Sequence, residues 1–132
     1  MPITALYASL LVPLFLLLAS RVIRARRGAR VAVGDGGNAL LMRRMRVHAN
    51  FAEYVPLALL LMALAESLGT GVWLLHALGI ALVGGRLVHA FGMSQAEEKF
   101  AFRVTGVVTT FSMLGTAALA CIYGALTRGI GI

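Results

Sequence analysis

Three polar side chains share one face of an otherwise apolar segment. Arg46, Asn50 and Glu53 are spaced i, i+4 and i+7, so a helix places them side by side. Charge at membrane depth is costly, and such residues therefore usually face a protein interior and indicate a function. A cation, an amide and a carboxylate on one face suit a small zwitterionic ligand better than they suit lipid.

The composition predicts a membrane protein around this motif. The 132 residues are 60% hydrophobic and 13% charged, and the mean hydropathy is +0.89. A soluble domain of this size has too little interior to bury so much apolar surface. The net charge of +7 does not indicate a nucleic-acid partner, because the basic residues flank apolar spans and have no interleaved aromatic residues.

Four apolar spans follow one another along the chain, over residues 3–23, 38–67, 72–91 and 103–126. A basic run and a glycine-rich linker over residues 33–38 separate the first two spans, and a turn at residues 69–71 separates the next two. We predict one all-α domain over residues 1–132, an integral-membrane up-down four-helix bundle. The second helix would be about 45 Å long, so its basic half extends into the headgroup zone.

The basic residues also predict an orientation. All 12 except Arg128 lie in the first–second and third–fourth connectors or in the adjoining helix ends. The positive-inside rule places those connectors in the cytosol and both termini on the opposite side of the membrane. No basic region precedes the first span, so we interpret it as a retained helix and not as a signal peptide.

Several further residues have both a functional and a simpler interpretation. The basic run from Arg21 to Arg30 is explained by anchoring to anionic lipid, and Arg86 and Arg103 by contact with the membrane interface. For Arg46 and Glu53 the simpler interpretation is a structural ion pair between the two side chains. For Glu66 and His76 the sequence predicts only interfacial solvation. No cysteine or histidine has metal-ligand spacing, so no metal site is predicted.

Three short motifs carry a resemblance to a known family. They are Arg46 to Pro56 with the order Arg…Asn…Glu-Tyr…Pro, the run Ile23-Arg24-Ala25-Arg26-Arg27, and Gly85-Arg86-Leu87-Val88-His89. Together with the four spans and the basic first connector, they resemble the MAPEG family, the membrane-associated proteins in eicosanoid and glutathione metabolism. The resemblance covers nearly the whole chain and is greatest for the bacterial branch that resembles microsomal glutathione transferases.

The resemblance implies a homotrimer that binds glutathione as a co-substrate near the cytosolic side, between neighbouring subunits. Arg103 and Arg27 are then the catalytic candidates, with Arg103 stabilising the glutathione thiolate. The glutathione-binding candidates carried over from the family motifs, or placed beside them, are Arg26, Arg46, His48, Asn50, Glu53, Tyr54, Arg86 and His89. Membrane lipid and a lipophilic small-molecule substrate are the other implied partners.

The implied reaction is addition of the thiolate to a lipophilic electrophile, or reduction of a lipid hydroperoxide. The chain departs from the family at Met93, where several members carry a tyrosine. The alternative interpretation is therefore a membrane protein of the same fold without catalysis, which binds a thiol or lipid or serves as a scaffold. A small transporter is a third interpretation, and it depends on Glu53 as its proton-carrying group.

Overall fold

Four long helices form the bundle. In a computed structural model that describes residues 1–95, 97 and 99–129, the helices are α1 (Pro2–Ala29), α2 (Ala39–Ser67), α3 (Val72–Ser94) and α4 (Phe100–Gly124). A short π-helical turn, Ala125–Gly129, follows α4. All four helices are long and apolar enough to cross a membrane. The prediction of an all-α, four-span bundle is therefore confirmed.

The two middle helices form the centre of the bundle. α2 and α3 each pack against the other three helices, and the α3–α4 contact is the most extensive. Within the bounds given above, α1 and α4 do not touch each other. The hydrophobic side chains with no exposed surface come mainly from α2 and α3: Leu41, Ala58, Met62, Ala65, Leu82 and Ala117.

Glycine allows α3 and α4 to approach closely. A Cβ atom added to Gly106 would lie 2.5 Å from the Cβ of His89 and 2.6 Å from the carbonyl oxygen of Gly85. Small residues of this kind let backbones approach where helices pack in a membrane. Gly85 of α3 lies at this contact, whereas nothing lies within 4 Å of a Cβ added to the neighbouring Gly84.

Substitution of Gly106 by alanine should therefore destabilise the bundle. Because the clash includes backbone atoms, we expect the free energy of unfolding to fall by about 1–3 kcal/mol. The measurement is thermal unfolding of the purified protein in detergent. Gly115→Ala in the same helix is the matched control, since nothing lies within 4 Å of an added Cβ there. Equal midpoints for the two variants would contradict the packing described here.

Local capping determines where the second helix begins. The Asn38 side chain accepts a hydrogen bond from the backbone N–H of Leu41 at 2.9 Å, as an N-cap residue does. Before it, Arg30 ends α1 in the left-handed conformation (φ 55°). α1 continues six residues beyond the predicted end at residue 23, because its arginines are strong helix formers. α4 ends at Gly124, two residues before the predicted end, and the π turn follows.

At the end of the bundle opposite the arginine-rich connectors, an acidic side chain caps the first helix. The Glu66 carboxylate accepts hydrogen bonds from the backbone N–H groups of Ile3 (3.0 Å) and Thr4 (2.8 Å) and from the Thr4 hydroxyl (2.7 Å). These donors have no partner within α1, and the helix dipole favours a negative charge there. Nearby, His76 is hydrogen-bonded to the Tyr7 hydroxyl at 2.9 Å. Glu66 and His76 thus have structural partners that the sequence did not predict.

Candidate functional site

Four charged residues lie in two layers, on the side of the bundle that faces the arginine-rich connectors. Glu53 precedes the end of α2 at Ser67 by about 14 residues, or about 21 Å, and Arg86 follows the start of α3 by the same distance. Both therefore lie within a hydrocarbon layer about 30 Å thick. Arg46 and Arg103 are about 31 Å from the corresponding helix ends, at the edge of that layer.

Arg86 joins three helices. Its Nη1 donates a hydrogen bond to Asn50 Oδ1 in α2 at 2.6 Å, and its Nη2 donates to the Gly106 carbonyl in α4 at 3.1 Å. The residue is only 1% exposed, and its Nε has no hydrogen-bond partner among the described residues. Within the subunit, Arg86 therefore orients the Asn50 amide and places a positive charge behind it.

The aromatic ring of Tyr54 lies beside the Arg86 guanidinium. The Arg86 guanidinium lies 6.0 Å from the centre of the Tyr54 ring, a distance at which the ring quadrupole attracts a cation. The Tyr54 ring also packs edge-on against Phe111 of α4, with ring centres 5.2 Å apart. Tyr54 is half-buried, and no hydrogen bond is found for its hydroxyl in the part of the chain that the structure describes.

His89 connects the cluster to the start of α4. Its Nδ1 lies 3.2 Å from the carbonyl oxygen of Arg103, and because a carbonyl only accepts, Nδ1 carries the proton. His89 is 3% exposed, whereas the Arg103 side chain is exposed. His89 thus holds the first turn of α4, from which Arg103 projects.

Arg46 and Glu53 are both exposed in the subunit. Neither takes part in an ion pair or a hydrogen bond across residues 1–95, 97 and 99–129. The structural ion pair considered above is therefore not formed within one subunit. A carboxylate at the depth of Glu53 is costly against lipid, so this face requires a protein or ligand neighbour.

The remaining predicted site residues lie on the α1 side of the bundle. Arg26 is bound to its own linker, because Nη1 donates to the Gly34 carbonyl at 2.7 Å and Nη2 contacts the Met45 sulfur at 3.5 Å. His48 packs against the Phe15 ring at 5.2 Å, away from the Arg46 face. Arg27 is exposed. Since α1 and α4 do not touch, Arg27 and Arg103 meet only if two subunits contribute to one site.

Within one subunit, the structure therefore brings together part of the predicted set: Asn50, Tyr54, Arg86 and His89, with the first turn of α4. It leaves Arg46 and Glu53 exposed on the adjacent helix face, and it separates Arg26, Arg27 and His48 from the cluster. Among the described residues, no group of three or more histidine, cysteine or acidic side chains converges on a point where a metal ion would bind.

Four membrane-length helices, with the buried Arg86 hydrogen-bonded between three of them, define a small polytopic membrane protein. The family comparison agrees: the model of the MAPEG family matches residues 4–123, and the chain belongs to that family. It is 38% identical to the inner membrane protein YecN of Escherichia coli K12 over 118 residues, which cover 89% of this chain and 88% of the relative. YecN of Escherichia coli O6:H1 matches equally. No solved structure gives a significant match.

Proposed function

We propose that this protein is an integral-membrane, glutathione-dependent transferase or peroxidase-like enzyme of the inner membrane. The observation that carries the proposal is the exposed face of α2, where Arg46 and Glu53 flank an Asn50 amide held by a buried arginine. Family membership supports it, because the MAPEG match over residues 4–123 includes this face.

The α2 face has the chemistry that glutathione requires. Glutathione carries two carboxylates and one ammonium group, and arginine suits the carboxylates through paired N–H donors. Glu53 suits the ammonium group. Asn50 offers an amide for the peptide bonds, and its Oδ1 already accepts from Arg86, so its N–H₂ group is the part that would donate to a ligand.

The site also requires a second subunit. Arg46 and Glu53 are exposed at a depth where lipid does not solvate charge, and Arg27 lies on a helix that does not touch α4. In a homotrimer, α1 of a neighbouring subunit covers the α2 face and brings Arg26 or Arg27 towards Arg103. Glutathione then binds between subunits, on the cytosolic side of the membrane.

Arg103 is the residue proposed to activate the thiol. A free cysteine thiol has a pKa of about 8.5, so little thiolate is present at neutral pH, and an adjacent arginine increases that fraction. The thiolate sulfur attacks a lipophilic electrophile, forms a C–S bond and expels the leaving group. With a lipid hydroperoxide, the sulfur takes the distal oxygen as the O–O bond breaks, which gives the glutathione sulfenic acid, and the alkoxide leaves and is protonated to the lipid alcohol. A second glutathione then attacks the sulfenic acid sulfur and gives the disulfide and water.

Turnover by the purified protein tests the proposal. We expect glutathione to be consumed one-to-one with 1-chloro-2,4-dinitrobenzene, or two-to-one with cumene hydroperoxide, at a rate proportional to protein concentration. Glu53→Gln should raise KM for glutathione about tenfold or more, because it removes the ammonium partner. Asp35→Asn is the matched control, because it also replaces a carboxylate by an amide but lies in the linker between α1 and α2. Absence of turnover with both substrates by folded protein would contradict the enzymatic function.

A further inference from the structure

A second cluster of arginines surrounds a cavity on the other side of α2. The cavity has a volume of about 190 Å³ and lies between the arginine-rich ends of α1 and α2 and the end of α3. It is lined by Leu18, Arg21, Leu40, Arg43, Arg44, Val47, Met93, Ser94 and Gln95. None of these described lining residues is acidic. A water molecule needs about 10–15 Å³ on this scale, so the cavity admits a polyatomic ion.

Two of these guanidinium groups are held in place by neutral partners. Arg21 Nη1 donates to the Ser94 hydroxyl at 2.8 Å, and Arg44 Nη1 donates to the backbone carbonyl of Arg21 at 3.2 Å. Each guanidinium has five N–H donors, so most of them remain available to a ligand. The Nε of Arg44 is buried and has no hydrogen-bond partner among the described residues. Neighbouring like charges in such a site are stabilised by an anion between them.

This cluster is distinct from the proposed glutathione site. Arg44 and Arg46 are separated by about 160° around α2, so their side chains leave the helix on nearly opposite faces. The cavity is bounded by α1 and α3 of the same chain, whereas the Arg46 face of α2 is exposed on the surface of the bundle. Met93 lines this cavity and packs against the core.

The cavity adjoins an open groove on the outer surface of the bundle. Arg21 and Arg44 line both, and Leu17 and Arg24 complete the groove. Leu17 is half exposed on α1, on the surface that meets acyl chains. Arg21 is about 28 Å from the start of α1, at the edge of the hydrocarbon layer and next to the lipid headgroups. An oxyanion bound between the two arginines is therefore reachable from the headgroup layer.

We propose that Arg21 and Arg44 form a second anion site, which binds a phosphate group between the ends of α1 and α2. Guanidinium groups bind phosphate oxygens through paired N–H donors, and the Ser94 hydroxyl provides a further donor. The phosphate belongs either to an anionic lipid of the same leaflet, with its chains along Leu17, or to a free phosphate ion. The site does not depend on the proposed glutathione chemistry.

Two probes distinguish the sources. Inorganic phosphate is titrated into delipidated protein in detergent by calorimetry, with chloride keeping the ionic strength constant. Phosphatidylglycerol or phosphatidylcholine is added in parallel, and bound lipid is counted by native mass spectrometry. Saturable binding of inorganic phosphate identifies a free-phosphate site. Binding of phosphatidylglycerol in preference to phosphatidylcholine, one per subunit and without binding of inorganic phosphate, identifies a headgroup site.

Substitutions at the cavity test the residues. Arg44→Gln and Arg21→Gln should each weaken binding of the effective probe about tenfold or more, and Arg44→Lys about threefold to tenfold, because lysine keeps the charge but loses the paired donors. Arg30→Gln, also on the basic end but outside the cavity, should bind as the unmodified protein does. Gel filtration and thermal unfolding confirm that each variant is folded. Failure of both probes to bind, or equal binding by Arg44→Gln, Arg44→Lys and Arg30→Gln, would overturn the proposal.

Discussion

Replacing Arg103 by alanine is expected to lower kcat for thiol conjugation by about 10²–10³-fold, while glutathione still binds. The reason is that a group which stabilises developing or resident charge at the reacting atom acts mainly on the chemical step. Arg103 is exposed on the first turn of α4, and His89 Nδ1 holds its carbonyl at 3.2 Å. The turn that carries the Arg103 side chain thus has a fixed position.

Two measurements check Arg103→Ala. The first is steady-state kinetics, and the second is the absorbance of bound glutathione at about 240 nm, where the thiolate absorbs and the thiol does not. Both kcat and the thiolate signal should fall together. Arg128→Ala, which removes the same charge at the opposite end of the bundle, is the control. An unchanged thiolate signal with full turnover in Arg103→Ala would show that another residue activates the thiol.

The second large effect is expected at Arg86. Replacing this buried arginine by methionine should weaken glutathione binding about tenfold to a hundredfold but change the free energy of unfolding by no more than about 2 kcal/mol. Burying a charge without a charged partner is costly, so an apolar side chain of similar size offsets the lost hydrogen bonds. Glutathione binding weakens because the Asn50 amide loses the Arg86 hydrogen bond, 2.6 Å long, that orients it.

A double-mutant cycle separates this positioning role from a purely structural role. If Arg86 acts through Asn50, then Arg86→Met, Asn50→Ala and the double variant should lose similar amounts of binding energy, since the two residues act as one unit. Calorimetry gives the affinities, and thermal unfolding gives the stabilities. A large drop in stability with unchanged affinity in the folded fraction would assign Arg86 to stability alone.

The sequence predicts the helices well because their signals are local. Asn38 caps α2 through its own side chain, and Ser67 ends it before a glycine turn, as the predicted range 38–67 requires. The spacing of Arg46, Asn50 and Glu53 also fixes their shared face through helix geometry alone. The ends of α1 and α4 are less well predicted, because hydropathy marks where apolar residues stop and not where the backbone stops being helical.

The partners of the arginines are not local, so the sequence does not predict them. Arg86 binds Asn50 because Gly85 and Gly106 bring α3 close to α4 and thereby fix the rotation of α3. Arg44 faces a cavity and Arg46 faces outward, although Met45 alone lies between them in the chain. Glu66 caps a helix more than 60 residues away in sequence. Each of these contacts depends on how the helices are rotated and spaced.

The most direct test of the central claim is glutathione binding to the purified protein in detergent, measured by calorimetry with an Arg46→Ala/Glu53→Gln double variant beside it. The proposed function predicts saturable binding by the unmodified protein and its loss, by about a hundredfold or more, in the double variant. Binding that is equal in both proteins would place the thiol away from the α2 face. No binding by the folded, unmodified protein would contradict the assignment of glutathione as the co-substrate.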